Sequence, residues 1–147
     1  LIGGGAILGL PVPLLPIQIL WINFVTDGPP ALALGFDSAS SHLMETSPRK
    51  HLGLLSRDSL RFIILGGIII SSICLMAFYF FFTTLGLQAS RAVTFTLMVA
   101  LQMFLPFLMR RHHTLLSNKK LFISVVIILI IQVLIITLPP LKVLFKV

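Results

Sequence analysis

Residues 62–85, 92–109 and 121–138 contain no Asp, Glu, Lys, Arg or His. A helix that crosses a bilayer needs about 20 predominantly apolar residues, within a range of roughly 17–25, and each run meets that length. Hydrocarbon offers no partner for a backbone N–H or C=O, so a spanning segment is either a helix or a strand of a closed barrel. These runs are continuously apolar and do not alternate, which favours helices. The expected fold is therefore all-α, a polytopic transmembrane helix bundle.

Composition agrees. Hydrophobic residues make up 57% of the 147 and charged residues 10%, with a mean hydropathy of +1.09. Soluble domains carry about 25% charged residues. The formal net charge of +7 raises nucleic acid as a partner. However, the basic residues sit at the ends of apolar runs and form no stripe with aromatics, so the lipid bilayer is the expected partner and nucleic acid is not. Cys74 is the single cysteine, excluding an internal disulfide and reading as a small buried thiol. The chain starts at Leu1 without a basic leader, and it is expected to be a fragment of something larger.

A fourth span is expected over residues 14–35, and it carries the chemistry. From Leu1 to Thr26 there is no ionisable side chain, and then Ile22-Asn23-Phe24-Val25-Thr26-Asp27-Gly28-Pro29-Pro30 brings an amide, a hydroxyl and a carboxylate together. A charge within hydrocarbon costs roughly 2.5 kcal/mol or more, and such residues mark ion paths. Gly28, Pro29 and Pro30 predict one unwound helix between Asp27 and Pro30, with backbone carbonyls left free. Asn23, Thr26 and Asp27 stand at i, i+3 and i+4, which a helix brings to one side. All three offer oxygen, the ligand of hard cations such as calcium, which takes six to eight. Without Cys or His, zinc and copper are disfavoured. Interhelical hydrogen bonding alone would explain Asn23 and Thr26, but not a carboxylate beside a helix breaker.

Residues 1–10 read as the end of a truncated helix, and Pro11 to Pro16 as a turn. Residues 36–61 and 110–120 are expected to be cytoplasmic loops. They hold Arg49, Lys50, Arg57, Arg61, Arg110, Arg111, Lys119 and Lys120, against Arg91, Lys142 and Lys146 on the other side. His112 and His113 read as part of an interfacial basic cluster, since adjacent histidines lack ligand spacing on a helix. Trp21 reads as an anchor or core residue, Phe78 to Phe82 as a lipid-facing aromatic belt, and Gly66-Gly67 as a point of close helix approach.

The segment from Leu15-Pro16-Ile17-Gln18-Ile19-Leu20-Trp21-Ile22-Asn23 through Phe24-Val25-Thr26-Asp27-Gly28-Pro29-Pro30 to Ala31-Leu32-Ala33-Leu34-Gly35 closely resembles the sixth transmembrane helix of P-type cation-transporting ATPases. Within that superfamily it is similar to the calcium-pump branch. The remainder resembles the family's carboxy-terminal membrane domain more loosely, through helix spacing and Pro48-Arg49. The resemblance implies calcium as the transported ion, with Asn23, Thr26 and Asp27 as ligands. Helix eight of two-site pumps adds a glutamate, and that position holds Gln102 here, which implies one calcium per cycle. An interhelical hydrogen bond is the alternative role for Gln102. The family's acidic loop after helix six is replaced by Ser38-Ala39-Ser40-Ser41-His42, so coupling to the phosphorylation domain would rest on Asp37 and Glu45.

Nothing matches the Asp-Lys-Thr-Gly phosphorylation motif, so ATP and magnesium would enter only through upstream domains, and the segment is not an enzyme alone. Its implied partners are the upstream helices and the cytoplasmic phosphorylation domain of the same pump. It would lie in a bacterial plasma membrane, or an internal membrane if eukaryotic. The rival reading is a free-standing polytopic protein, either a small secondary transporter or a non-transporting subunit. A transporter should show a second broken helix in a matching position, whereas the sequence has only one such break, at Gly28-Pro29-Pro30.

Overall fold

The computed structural model describes residues 1–35, 57–109 and 119–147, apart from the side chains of Leu34, Asp58 and Met109. Asp37, Glu45, Pro48, Arg49, Lys50, Arg110, Arg111, His112 and His113 lie outside the described residues. Among the described residues six helices follow in order: α1 (Ile2–Ile7), α2 (Pro16–Gly35), α3 (Arg57–Leu85), α4 (Leu87–Met109), α5 (Lys119–Thr137) and α6 (Pro139–Phe145). There is no strand among the described residues. Helices α3, α4 and α5 are long and apolar enough to cross a membrane. Helix α2, at 20 residues, matches them in length and carries Gln18, Asn23, Asp27 and two internal prolines.

The core lies among α2, α4, α5 and α6. It joins Ile22, Val25 and Ala33 to Phe95, Val99 and Met103, to Leu121, Val125, Ile128 and Ile135, and to Phe145. Spacings of three, four, seven and eight give α2, α4 and α5 one buried stripe each. Helix α3 packs chiefly on α4, burying Cys74 and Phe78. Its outer surface carries exposed Ile63, Leu65, Ile68, Met76 and Tyr79. Such a surface is untenable in water and ordinary against lipid; the chain is a multi-pass membrane protein. Phe78 leaves the expected aromatic belt for the core, stacked on Phe82 with centroids 5.9 Å apart, while Tyr79 and Phe80 remain exposed. No atom approaches within 4 Å of a Cβ built on Gly66 or Gly67, so the close approach expected there is not made within the described chain.

Helix boundaries have local causes. Proline suits the first helical position, where the missing N–H would be unpaired anyway, and Pro16 and Pro139 open α2 and α6 there. Gln18, third in α2, accepts the N–H of Leu15 through Oε1 at 3.0 Å, which is half of a capping box. One residue, Gly86, reverses the chain between α3 and α4 at φ +87°, a conformation open to glycine.

Hydrogen bonds fix which ends lie together. Arg91 Nε donates to the Val12 carbonyl at 3.0 Å, and Gln18 Nε2 to the Phe145 carbonyl at 3.0 Å. The starts of α2 and α4 and the whole of α6 therefore share one end of the bundle, with α2 and α4 parallel and α5 antiparallel to both.

One expectation is corrected. Helix α2 stays helical from Pro16 to Gly35, with Pro29 and Pro30 inside it, and no unwinding between Asp27 and Pro30. Proline's fixed φ near −65° is itself helical. What the prolines remove is donors.

Candidate functional site

Asn23 and Asp27, one turn apart, are both exposed, whereas Gln18, Ile22, Val25 and Ala33 are buried. At 3.6 residues per turn, Asn23 and Asp27 thus occupy the side of α2 turned away from α4 and α5. Thr26 is half-buried between these faces. Its hydroxyl donates to the Ile22 carbonyl at 2.8 Å. The proton is therefore committed, and the Oγ1 lone pairs are left to accept or coordinate.

The helix supplies two more oxygens. An α-helical carbonyl at i accepts from the N–H at i+4. For Val25 and Thr26 the residues at i+4 are Pro29 and Pro30, which have none. Two carbonyls thus lack their helical donors within a turn of Asp27, without any unwinding. Beyond Asp27 lies an open concavity of about 570 Å³, lined by Asp27, Gly28, Ala31, Leu32 and Gly35. Every one of these lining residues comes from α2, and Asp27 brings the single charged side chain among them.

Gln102 stands elsewhere. It is half-buried on α4, and its Oε1 is buried with no hydrogen-bond partner among the described residues. The interhelical hydrogen bond considered for it is not made at that oxygen. Gln102 shares a depth with Asp27: Trp21, Gln132 and Thr96 form one hydrogen-bonded layer, and Asp27 and Gln102 each lie six residues further along parallel helices. Six residues correspond to about 9 Å. The described chain brings Asn23, Thr26 and Asp27 together and puts Gln102 level with them, but Gln102 does not line the concavity at Asp27. Among the described residues no three His, Cys, Asp or Glu side chains gather as a metal cluster.

Sequence reasoning passed over Gln18 and Gln132, both buried. Each is an amide within an apolar run, the same signal that drew attention to Asn23. Trp21, left open between anchor and core, is half-buried and donates its indole N–H to Gln132 Oε1 at 3.0 Å.

Residues 11–147 match the family model described as "Cation transporting ATPase, C-terminus". The chain is 31% identical over 147 residues to a calcium-transporting ATPase of Bacillus subtilis, covering 95% of this chain and 16% of that protein. It is 32% identical over 164 residues to calcium-transporting ATPase 1 of Bacillus cereus, covering 96% of this chain and 18% of that protein. Over 45 residues, 31% of this chain and 4% of the relative, identity reaches 56% with an endoplasmic reticulum-type calcium-transporting ATPase 2 of Arabidopsis thaliana. The chain thus spans less than a fifth of the length of these relatives.

Proposed function

The chain belongs to the P-type cation-transporting ATPase family, as its carboxy-terminal membrane domain, and on that premise we propose that it supplies one wall of the transmembrane site of an ATP-driven calcium pump. Asn23, Thr26 and Asp27 contribute side-chain oxygens, Val25 and Thr26 contribute carbonyls, and Gln102 offers its amide oxygen at the same depth on α4, across α2 from Asn23 and Asp27. Upstream helices complete the shell, since calcium takes six to eight oxygens.

The observation that carries this reading is the pairing of an outward Asn23–Asp27 face with two carbonyls that Pro29 and Pro30 leave without donors. A merely structural polar contact requires no such surplus of acceptors. These ligands carry one negative charge, at Asp27. That charge holds calcium and, once calcium has left, gains from taking up a proton in hydrocarbon. Gln102 in place of a carboxylate lowers the charge by one, which favours a single calcium per cycle.

Catalysis lies in upstream domains that bind ATP and magnesium and carry the phosphorylated aspartate. The basic ends at Arg57, Arg61, Lys119 and Lys120 face the cytoplasm, where the phosphorylation domain docks. In the full-length protein, Asp27→Asn should abolish calcium-dependent phosphorylation by ATP. Undiminished calcium dependence would refute the assignment.

A further inference from the structure

We propose that Gln132 is a positioning residue for the ion-site helix, setting the rotation and depth of α2 through Trp21; the proposal rests on the reading of Asn23 and Asp27 as cation ligands. Gln132 is 1% exposed at the centre of a directional chain. Trp21 Nε1 donates to Gln132 Oε1 at 3.0 Å, Gln132 Nε2 donates to Thr96 Oγ1 at 3.4 Å, and Thr96 Oγ1 donates to the Ala92 carbonyl at 2.9 Å. The indole offers only a donor and the threonine proton is already committed. The bridging side chain must therefore accept at one end and donate at the other, which an amide does.

The position of this chain matters. Trp21 precedes Asn23 by two residues and Asp27 by six, and at 100° per residue it flanks the buried stripe of α2, about 160° round the helix from Asn23 and about 120° from Asp27. The chain joins α2, α4 and α5 in a single layer about 9 Å from Asp27 along the helix axis. The Trp21 ring also meets the buried Phe145 edge-on, with centroids 5.7 Å apart, and Phe145 stacks on Phe95 at 5.8 Å. A rotation of α2 that swung Asn23 and Asp27 away from incoming helices would have to break the indole bond and lift the ring from Phe145. Apparent affinity falls by the fraction of molecules in the competent arrangement, so losing the bond weakens calcium binding and leaves the chemistry intact.

The test uses the full-length pump in membranes, with calcium and ATP, and reads half-saturating calcium separately from the maximal phosphorylated level. Gln132→Met and Trp21→Phe should each raise half-saturating calcium about 3- to 15-fold, the span of interhelical hydrogen bonds in bilayers, with the maximal level per folded pump unchanged. The double variant should match the larger single effect, because the Trp21–Gln132 bond is lost in all three. Half-saturation within twofold of the parent in Trp21→Phe overturns the proposal, even where Gln132→Met fails to fold. So does a double variant whose effects multiply. Asp27→Asn runs alongside. If it abolishes calcium dependence while the network variants behave as the parent, positioning alone fails. If calcium dependence survives Asp27→Asn, the ion-site reading fails and positioning falls with it.

Discussion

Gln18 on α2 reaches across 127 positions of sequence to donate from Nε2 to the Phe145 carbonyl at 3.0 Å, while its Oε1 accepts the Leu15 N–H. One buried amide thus both starts α2 and fastens α6 to it. Gln18→Leu leaves a buried carbonyl and a helix N–H unpaired, at a cost of about 1–3 kcal/mol. We expect a lower thermal unfolding midpoint in detergent and faster tryptic cleavage after Lys142 and Lys146. An unchanged midpoint and digestion rate would show that α6 is held by Phe145 packing alone.

Pro29→Ala and Pro30→Ala supply the N–H donors that the Val25 and Thr26 carbonyls lack. A proline inside a helix costs about 3 kcal/mol relative to alanine. Each variant should therefore be as stable as the parent or more so in thermal unfolding, yet need at least several-fold more calcium for half-maximal phosphorylation. Improved stability with unchanged calcium dependence would remove the carbonyls from the ligand set.

Gln102 offers a sharper contrast, because its Oε1 is buried and unpartnered among the described residues. Removing an unsatisfied polar atom relieves a burial penalty, so Gln102→Leu should not lower the unfolding midpoint, but should raise half-saturating calcium. A drop in stability with no calcium effect would make it a structural amide.

Cys74 is fully buried, with Sγ 3.8 Å from Met98 Sδ. In the folded pump its peptide should stay unmodified by a maleimide and become labelled only after denaturation, as followed by mass spectrometry. Rapid labelling of the native protein would contradict the α3–α4 packing.

The spans were legible because charge-free runs of membrane length have few alternatives. Their ends were less so: α3 begins at Arg57 and α4 at Leu87, each five residues before the uncharged run. Long basic side chains prolong a helix while their charges reach the interface. The double proline was misread as unwinding, because it subtracts donors without forbidding helical φ. Helix α6 was missed, since seven residues opening on Pro139-Pro140 look like a turn until Phe145 finds Trp21 and Phe95. The Asn23–Thr26–Asp27 grouping was readable from spacing on one helix. The amides at Gln18 and Gln132 were not, because their partners lie 127 and 111 positions away.

Equilibrium binding of radioactive calcium to the purified full-length protein, without ATP, tests the ion-site claim most directly. The account predicts one calcium per phosphorylatable pump in the parent and none at the same calcium concentration in Asp27→Asn, with the variant still folded by its unfolding midpoint. Full calcium occupancy in Asp27→Asn would contradict it.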